Sequence, residues 1–253
     1  MFQRLLSIIH PLLQFILPKK VVVHNKTNIQ HSLEKYTIPS NIISVSPSGY
    51  FGFYTLGVCA YIHEHYDTSN YIFTGTSAGA WNCFVMMLKN KKELSNMIRI
   101  IINNDNYKTK NRCRILHILK KVLLNHYTTN DFDLQRLFIG VTTIQQTNIY
   151  TDFESIQDAL DCCISSSNVP FITGSIFHRY RNAFSYDGIF SSSPYLSKSS
   201  ILHIHPNIWG QHEKLTFQLF KKDCFNLQQL YEKGYQDTCR YGKETLDKLF
   251  LKS

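Results

Sequence analysis

Short apolar runs alternate along the chain with stretches in which apolar positions recur every three or four residues. Residues 41–46 (NIISVS) read as a short buried strand. From Phe53 to about His65 the pattern turns helical, with Leu56, Cys59, Ala60 and His63 on related turns. Tyr71 to Phe73 reads as a second strand, and a helix opened by Ser77 runs to about Met87 or Lys89. Lys91 to Ile102 and Asn111 to His126 carry further helical spacing, the latter with apolar Ile115, Ile118, Leu119, Val122 and Leu123. Leu134 to Phe153, rich in β-branched and aromatic residues, predicts one or two strands around Gly140. Ser155 to Ser165 is helical, 184–190 and 201–205 are extended, and Asn226 to Leu251 forms one long helix that could break at Gly234. Strands alternating with helices predict an α/β sandwich with a mostly parallel sheet.

The first twenty residues (MFQRLLSIIHPLLQFILPKK) need separate treatment. Gln3, Arg4, His10, Pro11 and Gln14 interrupt them, so they fall short of the ~20 apolar residues that span a bilayer. Lys19 and Lys20 close a segment suited to a membrane interface. The alternatives are packing on the domain, or a secretory signal, although no small-x-small cleavage site follows. Residues 1–30 are therefore set apart as a candidate membrane-interface anchor, and 31–253 as one domain without repeats or a Gly/Ser linker.

Charge and cysteine content narrow the partners. With 27 Lys and Arg against 18 Asp and Glu, the net charge of +9 favours anionic partners, nucleic acid or an anionic membrane surface. No basic arm interleaved with aromatics is present, so nucleic acid is set aside. The seven cysteines are odd in number, Cys162 and Cys163 are adjacent, and no Cys-x-x-Cys occurs. Reduced thiols in a cytoplasmic protein fit this best. The basic residues of 111–126 (Arg112, Arg114, Lys120 and Lys121) suit a helix lying on a membrane, but a core-packed helix with solvated lysines is favoured.

Three short motifs carry candidate chemistry. Residues 72–81 (IFTGTSAGAW) place Ser77 between Gly75 and Gly79, after a strand and before a helix. This is the context in which a G-x-S-x-G serine is lifted onto a tight, strained turn as a nucleophile. Residues 46–52 (SPSGYFG) follow the first strand, and the amides of Ser48, Gly49 and Tyr50 can face an oxyanion there; Pro47 has no N–H to give. No G-K-[ST] follows, which excludes a P-loop, and the spacing fails G-x-G-x-x-G. Asp187-Gly188 is by itself a common turn dipeptide, but a serine nucleophile needs a base and a carboxylate can serve.

The chain here resembles the patatin-like phospholipases and acyl hydrolases, in particular the adiponutrin and triglyceride-lipase subgroup. Residues 44–58 (SVSPSGYFGFYTLGV) resemble its oxyanion stretch and 75–80 (GTSAGA) its nucleophile elbow. Residues 166–171 (SSNVPF) and 186–194 (YDGIFSSSP) resemble the segment leading to its catalytic Asp-Gly, and 230–236 (LYEKGYQ) a late helix. The resemblance covers about residues 40–240 in the family's order. It implies a patatin-like three-layer α/β sandwich and a Ser77–Asp187 dyad without histidine. It also implies an oxyanion hole from the amides of Ser48, Gly49 and Tyr50, and no cofactor or metal. The implied activity is hydrolysis of fatty acyl esters of glycerolipids through an acyl-enzyme, at a membrane or lipid-droplet surface to which the protein binds peripherally from the cytoplasm. Two positions depart from the family: Pro47 replaces a glycine, and Ile189 replaces the second glycine after the aspartate.

Two rivals stay open. His203, His205 and His212 follow Asp187, so an α/β-hydrolase with a Ser-Asp-His triad meets the chain order. A catalytically weak lipid-binding module is the other. His203 and His205 share a strand face and could hold a metal, but no third ligand is evident. His63-Glu64-His65 fails the H-E-x-x-H spacing, and His117 reads as a packed or surface residue.

Overall fold

The computed structural model describes residues 21–24, 30–32, 41–103, 115–143, 147–168, 178–181, 183–186, 200–210 and 226–250. Strands β1 (Val21–His24), β2 (Gln30–Ser32), β3 (Ile42–Val45), β4 (Ile72–Gly75), β5 (Leu137–Thr143), β6 (Thr147–Tyr150), β7 (His178–Tyr180), β8 (Ala183–Tyr186) and β9 (Leu202–Ile204) form one sheet. Its main path runs β2-β1-β6-β5-β4-β3-β9, with β8 also on β5 and β7 on β8. The pairs β1/β6, β5/β4, β4/β3 and β3/β9 are parallel, while β1/β2, β5/β6, β5/β8 and β7/β8 are antiparallel. The architecture is thus α/β with a mixed sheet whose seven-strand main path is mostly parallel, at four of its six pairings. Every residue of β3, β5 and β6 is buried. Successive strand side chains point to opposite faces, so the centre of the sheet is covered on both sides.

Seven α-helices are described: α1 (Gly52–His65), α2 (Ala78–Met86), α3 (Leu94–Ile102), α4 (Ile115–His126), α5 (Ile156–Ser166), α6 (Leu227–Asp237) and α7 (Lys243–Phe250). No helix among the described residues is long and apolar enough to cross a membrane. Helix α1 is buried on nearly all sides from Gly52 to His63, as its uniformly apolar sequence requires. It crosses α6 at backbone contact. A Cβ on Gly57 would stand 2.1 Å from the Tyr231 carbonyl oxygen, and one on Gly234 2.0 Å from that of Tyr54. Gly234 therefore does not break the last helix; its missing side chain admits α1. The helix continues through a π turn (Thr238–Gly242) into α7. Beside that crossing the Tyr54 hydroxyl donates to Asp237 Oδ2 (3.0 Å), and Trp209 Nε1 donates to Thr238 Oγ1 (3.0 Å).

Helix α4 turns Ile115, Leu119 and Leu123 into the core, and its Lys120 pairs with Asp161 of α5 at 2.6 Å. Its apolar side is thus packed in the core, as the core-packed reading expects, but Lys120 is paired rather than solvated, and Arg112 and Arg114 lie outside the described residues. Strands β1, β2 and β7 were not legible in the sequence. The four residues VVVH and the polar HRY are too short to show alternation, and their pairing partners lie far along the chain. The sheet thereby takes in residues 21–24 of the stretch set apart above; residues 1–20 lie outside the described residues.

Candidate active site

Ser77 sits between β4 and α2 with φ 51° and ψ −127°, one of three non-glycine residues with positive φ among those described. These angles match the first central position of a type II′ turn, a place glycine dominates because a Cβ crowds the backbone there. Holding a non-glycine residue in such a region costs on the order of 1–3 kcal/mol and requires surroundings that enforce it. The flanking glycines supply that enforcement. A Cβ on Gly75 would lie 2.4 Å from the carbonyl oxygen of Gly79, so the two glycines close on one another across the turn. A Cβ on Gly79 would lie 2.3 Å from the Val45 carbonyl oxygen and 2.8 Å from that of Ser46. The first turn of α2 is therefore pressed against the end of β3, and the loop that follows β3 starts beside the serine.

That loop, 46–51, is held from two sides. The Ser46 amide donates to the Ile204 carbonyl of β9 (2.9 Å). Asn82 of α2 donates from Nδ2 to the Gly52 carbonyl (3.0 Å) and to Thr55 Oγ1 (2.8 Å), pinning the start of α1. A Cβ on Gly52 would stand 2.6 Å from the Ala78 Cβ, so the first residues of α1 and α2 touch. The Ser48 side chain is buried, with Oγ 3.4 Å from Thr55 Oγ1. Gly49, at φ 53°, opens a 3-10 turn (Gly49–Phe51) that runs into α1. Ser48, Gly49 and Tyr50 thus sit at the entry to a helical segment. Two helix starts in contact also place the positive ends of two backbone dipoles together.

Asp187 and Gly188 lie outside the described residues, but the strand that leads to them does not. Ile139 pairs with Gly75 of β4 and with Tyr150 of β6, while Thr142 pairs with Tyr186 of β8 and with Thr147 of β6. A strand has two edges, so β4 and β8 share the edge of β5 opposite β6. The first is parallel to β5 and the second antiparallel, so their C-terminal ends point at each other across Gly140 and Val141. Ser77 comes two residues after the end of β4, and Asp187 is the residue after the end of β8.

Around this gap lie residues of the 166–171 stretch, which the sequence marks only as a resemblance and to which it gives no role. Ser166 Oγ accepts the Ser77 amide N–H (2.8 Å) and donates to the Gly140 carbonyl (2.6 Å). Ser167 Oγ accepts from Trp81 Nε1 (3.1 Å), and Asn168 Nδ2 donates to the Ser185 carbonyl (3.4 Å). In the sequence they appear as a polar SSSN run at the end of an apolar helix, within the stretch that resembles the segment leading to Asp-Gly, with nothing to say what they touch.

The other candidate groups sit elsewhere. His203 lies in β9, paired with Ser44, and its Nδ1 is 2.7 Å from Ser44 Oγ. Its ring stacks on His205 at 5.4 Å, and burial holds both imidazoles below their ordinary pKa. Strand β9 is separated from β4 by β3, on the side away from β8. Among the described residues no third ligand joins these two histidines, and His212 lies outside that set. His63 is buried in α1, with its pKa lowered to about 4 by desolvation and by Lys91 and Arg136. His117 is exposed on α4, 6.1 Å between rings from His178. Burial pushes the Cys59, Cys83, Cys162 and Cys163 thiols up, which keeps them protonated and poorly nucleophilic. Comparison of the chain with models of known protein families finds no match, and comparison with curated proteins finds none either.

Proposed function

We propose that this protein is a serine acyl hydrolase with a patatin-like three-layer fold, cleaving fatty acyl esters of glycerolipids through Ser77 and Asp187. The observation that carries the reading is the conformation of Ser77. A buried serine at φ 51°, ψ −127° at the tip of a strand-turn-helix, with glycines closed on backbone at both sides, is a strained arrangement. Strain kept at a serine suits a nucleophile whose hydroxyl must stand clear of its own backbone.

In the proposed reaction Asp187 takes the proton of Ser77 Oγ as the oxygen attacks the ester carbonyl. The new O–C bond gives a tetrahedral oxyanion facing the amides of Ser48, Gly49 and Tyr50. Collapse breaks the ester C–O bond, and the leaving alcohol carries away the proton held by Asp187. Water then attacks the acyl-enzyme, giving its proton to Asp187, and the freed serine recovers one as the fatty acid departs. One amide donor contributes on the order of 2.7–4 kcal/mol to such a barrier. Pro47 offers none, so the burden falls on the three residues after it. Peripheral binding to a membrane or lipid droplet from the cytoplasm belongs to the same proposal, supported by the +9 charge.

The dyad is preferred to a Ser-Asp-His triad on strand positions. The strand before Asp187 flanks β5, whereas His203 and His205 lie beyond β3, and His203 is engaged by Ser44. A triad histidine must touch both serine and acid. The test is release of fatty acid from detergent micelles carrying phosphatidylcholine or triacylglycerol. Wild-type protein should release it, and Ser77→Ala should lower the rate at least ~1000-fold. Equal rates in the two proteins, or no release from any ester, would overturn the proposal.

A further inference from the structure

Three consecutive buried side chains at the end of α5 reach three different pieces of the candidate site. Ser166, Ser167 and Asn168 are 0%, 6% and 2% exposed. Ser166 bonds the amide of the strained serine itself; Ser167 bonds Trp81, one turn into the helix that the serine opens. Asn168 bonds the carbonyl of Ser185, two residues before Asp187. The Ser166 hydroxyl also donates to Gly140, which stands opposite the gap between the ends of β4 and β8. One hydroxyl therefore ties the elbow to β5 at the place where neither strand supplies a ladder partner.

The energetic logic is direct. A buried amide and a buried carbonyl must both be satisfied. Here a single side chain satisfies both, and does so at a residue whose backbone is strained. Helix α5 is a rigid element, so bonds made from its last turn and the two residues after it fix the elbow and β8 in one frame. Serine next to serine next to asparagine offers donors and acceptors with short reach, which a longer polar side chain would not hold as firmly.

From this geometry we propose that Ser166, Ser167 and Asn168 are positioning residues that set the spacing between Ser77 and strand β8, which ends one residue before Asp187. The proposal rests on the serine hydrolase reading above. It adds that reactivity depends on side chains that never touch the substrate.

The test uses hydrolysis of 4-nitrophenyl butyrate by the full chain. Ser166→Ala and Asn168→Asp, which loses the donor to Ser185 while keeping its shape, should each lower kcat about 100-fold, the typical effect of misplacing reacting groups by an ångström. KM should stay within about twofold, because no substrate contact is removed. Ser165→Ala is the control: Ser165 is equally buried, but its hydroxyl has no hydrogen-bond partner among the described residues. It should keep wild-type kcat, and if Ser166→Ala does not fold, the contrast between Asn168→Asp and Ser165→Ala still decides. Wild-type kcat in Asn168→Asp and in any folded Ser166→Ala, or an equal fall in Ser165→Ala, would overturn the positioning role while leaving the hydrolase reading intact. Absence of any hydrolysis by the wild type would instead remove the hydrolase reading, and the triplet's role with it.

Discussion

Replacing Ser77 by glycine and by alanine separates the chemistry of this residue from its strain. Both variants lose the hydroxyl and should be inactive. Alanine keeps the Cβ that crowds the backbone at φ 51°, ψ −127°, whereas glycine removes it. The strain released is on the order of 1–3 kcal/mol. Against it, glycine gives the unfolded chain extra freedom of roughly 0.4–1 kcal/mol. The balance leaves Ser77→Gly about 1 kcal/mol more stable than Ser77→Ala. For a domain of this size that corresponds to roughly 2–4 °C in Tm. Thermal unfolding followed by circular dichroism, with urea denaturation as a second measure, reads the difference directly. If Ser77→Gly melts at or below Ser77→Ala, the elbow stores no strain and the main support for the nucleophile assignment is gone.

Other perturbations test the frame around the site. Gly79→Ala drives a Cβ to 2.3 Å from the Val45 carbonyl oxygen, a backbone atom that cannot swing aside. It should destabilise by at least ~1–3 kcal/mol and abolish ester hydrolysis by displacing the 46–51 loop, checked by Tm and esterase assay. Gly234→Ala, with its Cβ 2.0 Å from the Tyr54 carbonyl oxygen, should cost as much by separating α1 from α6, read as a fall in the urea midpoint. His63 supplies a pH dependence. Its folded pKa of about 4 lies below the ordinary 6.5, and neither ring nitrogen is satisfied by a hydrogen bond of good geometry. Above pH 6.5 both folded and unfolded forms are neutral. As pH falls below 6.5 the unfolded chain binds a proton that the folded one refuses until about 4, so stability declines over that window by up to about 3 kcal/mol. Urea midpoints at pH 7 and pH 5 should show the decline in wild type and a smaller one in His63→Leu.

The central units of the fold were legible because their signals are local. Apolar runs at 42–45 and 72–75 and the uniformly apolar 52–63 need no partner to be recognised, and the glycines around Ser77 mark the elbow in one line of sequence. What escaped was set by pairing at a distance. The residues VVVH become a strand only because β6 offers an edge, and β7 exists only as the partner of β8. By sequence Gly234 marks a weak point in a helix, since a glycine lowers helix propensity wherever it stands. Its contact with Tyr54, 180 positions earlier in the chain, is invisible until the helices cross. The stretch holding Ser166 and Asn168 is marked by the resemblance, but their contacts escaped for the same reason: serine and asparagine after a helix suit any turn, and only the packed frame aims them at Ser77 and Ser185.

The most direct test is to trap the nucleophile. Wild-type protein treated with a fluorophosphonate and digested for mass spectrometry should carry the label on Ser77. Asp187→Asn should abolish labelling, while His203→Ala and His205→Ala should label at the wild-type rate. A label on another residue, full labelling of Asp187→Asn, or loss of labelling in either histidine variant would contradict a Ser77–Asp187 dyad.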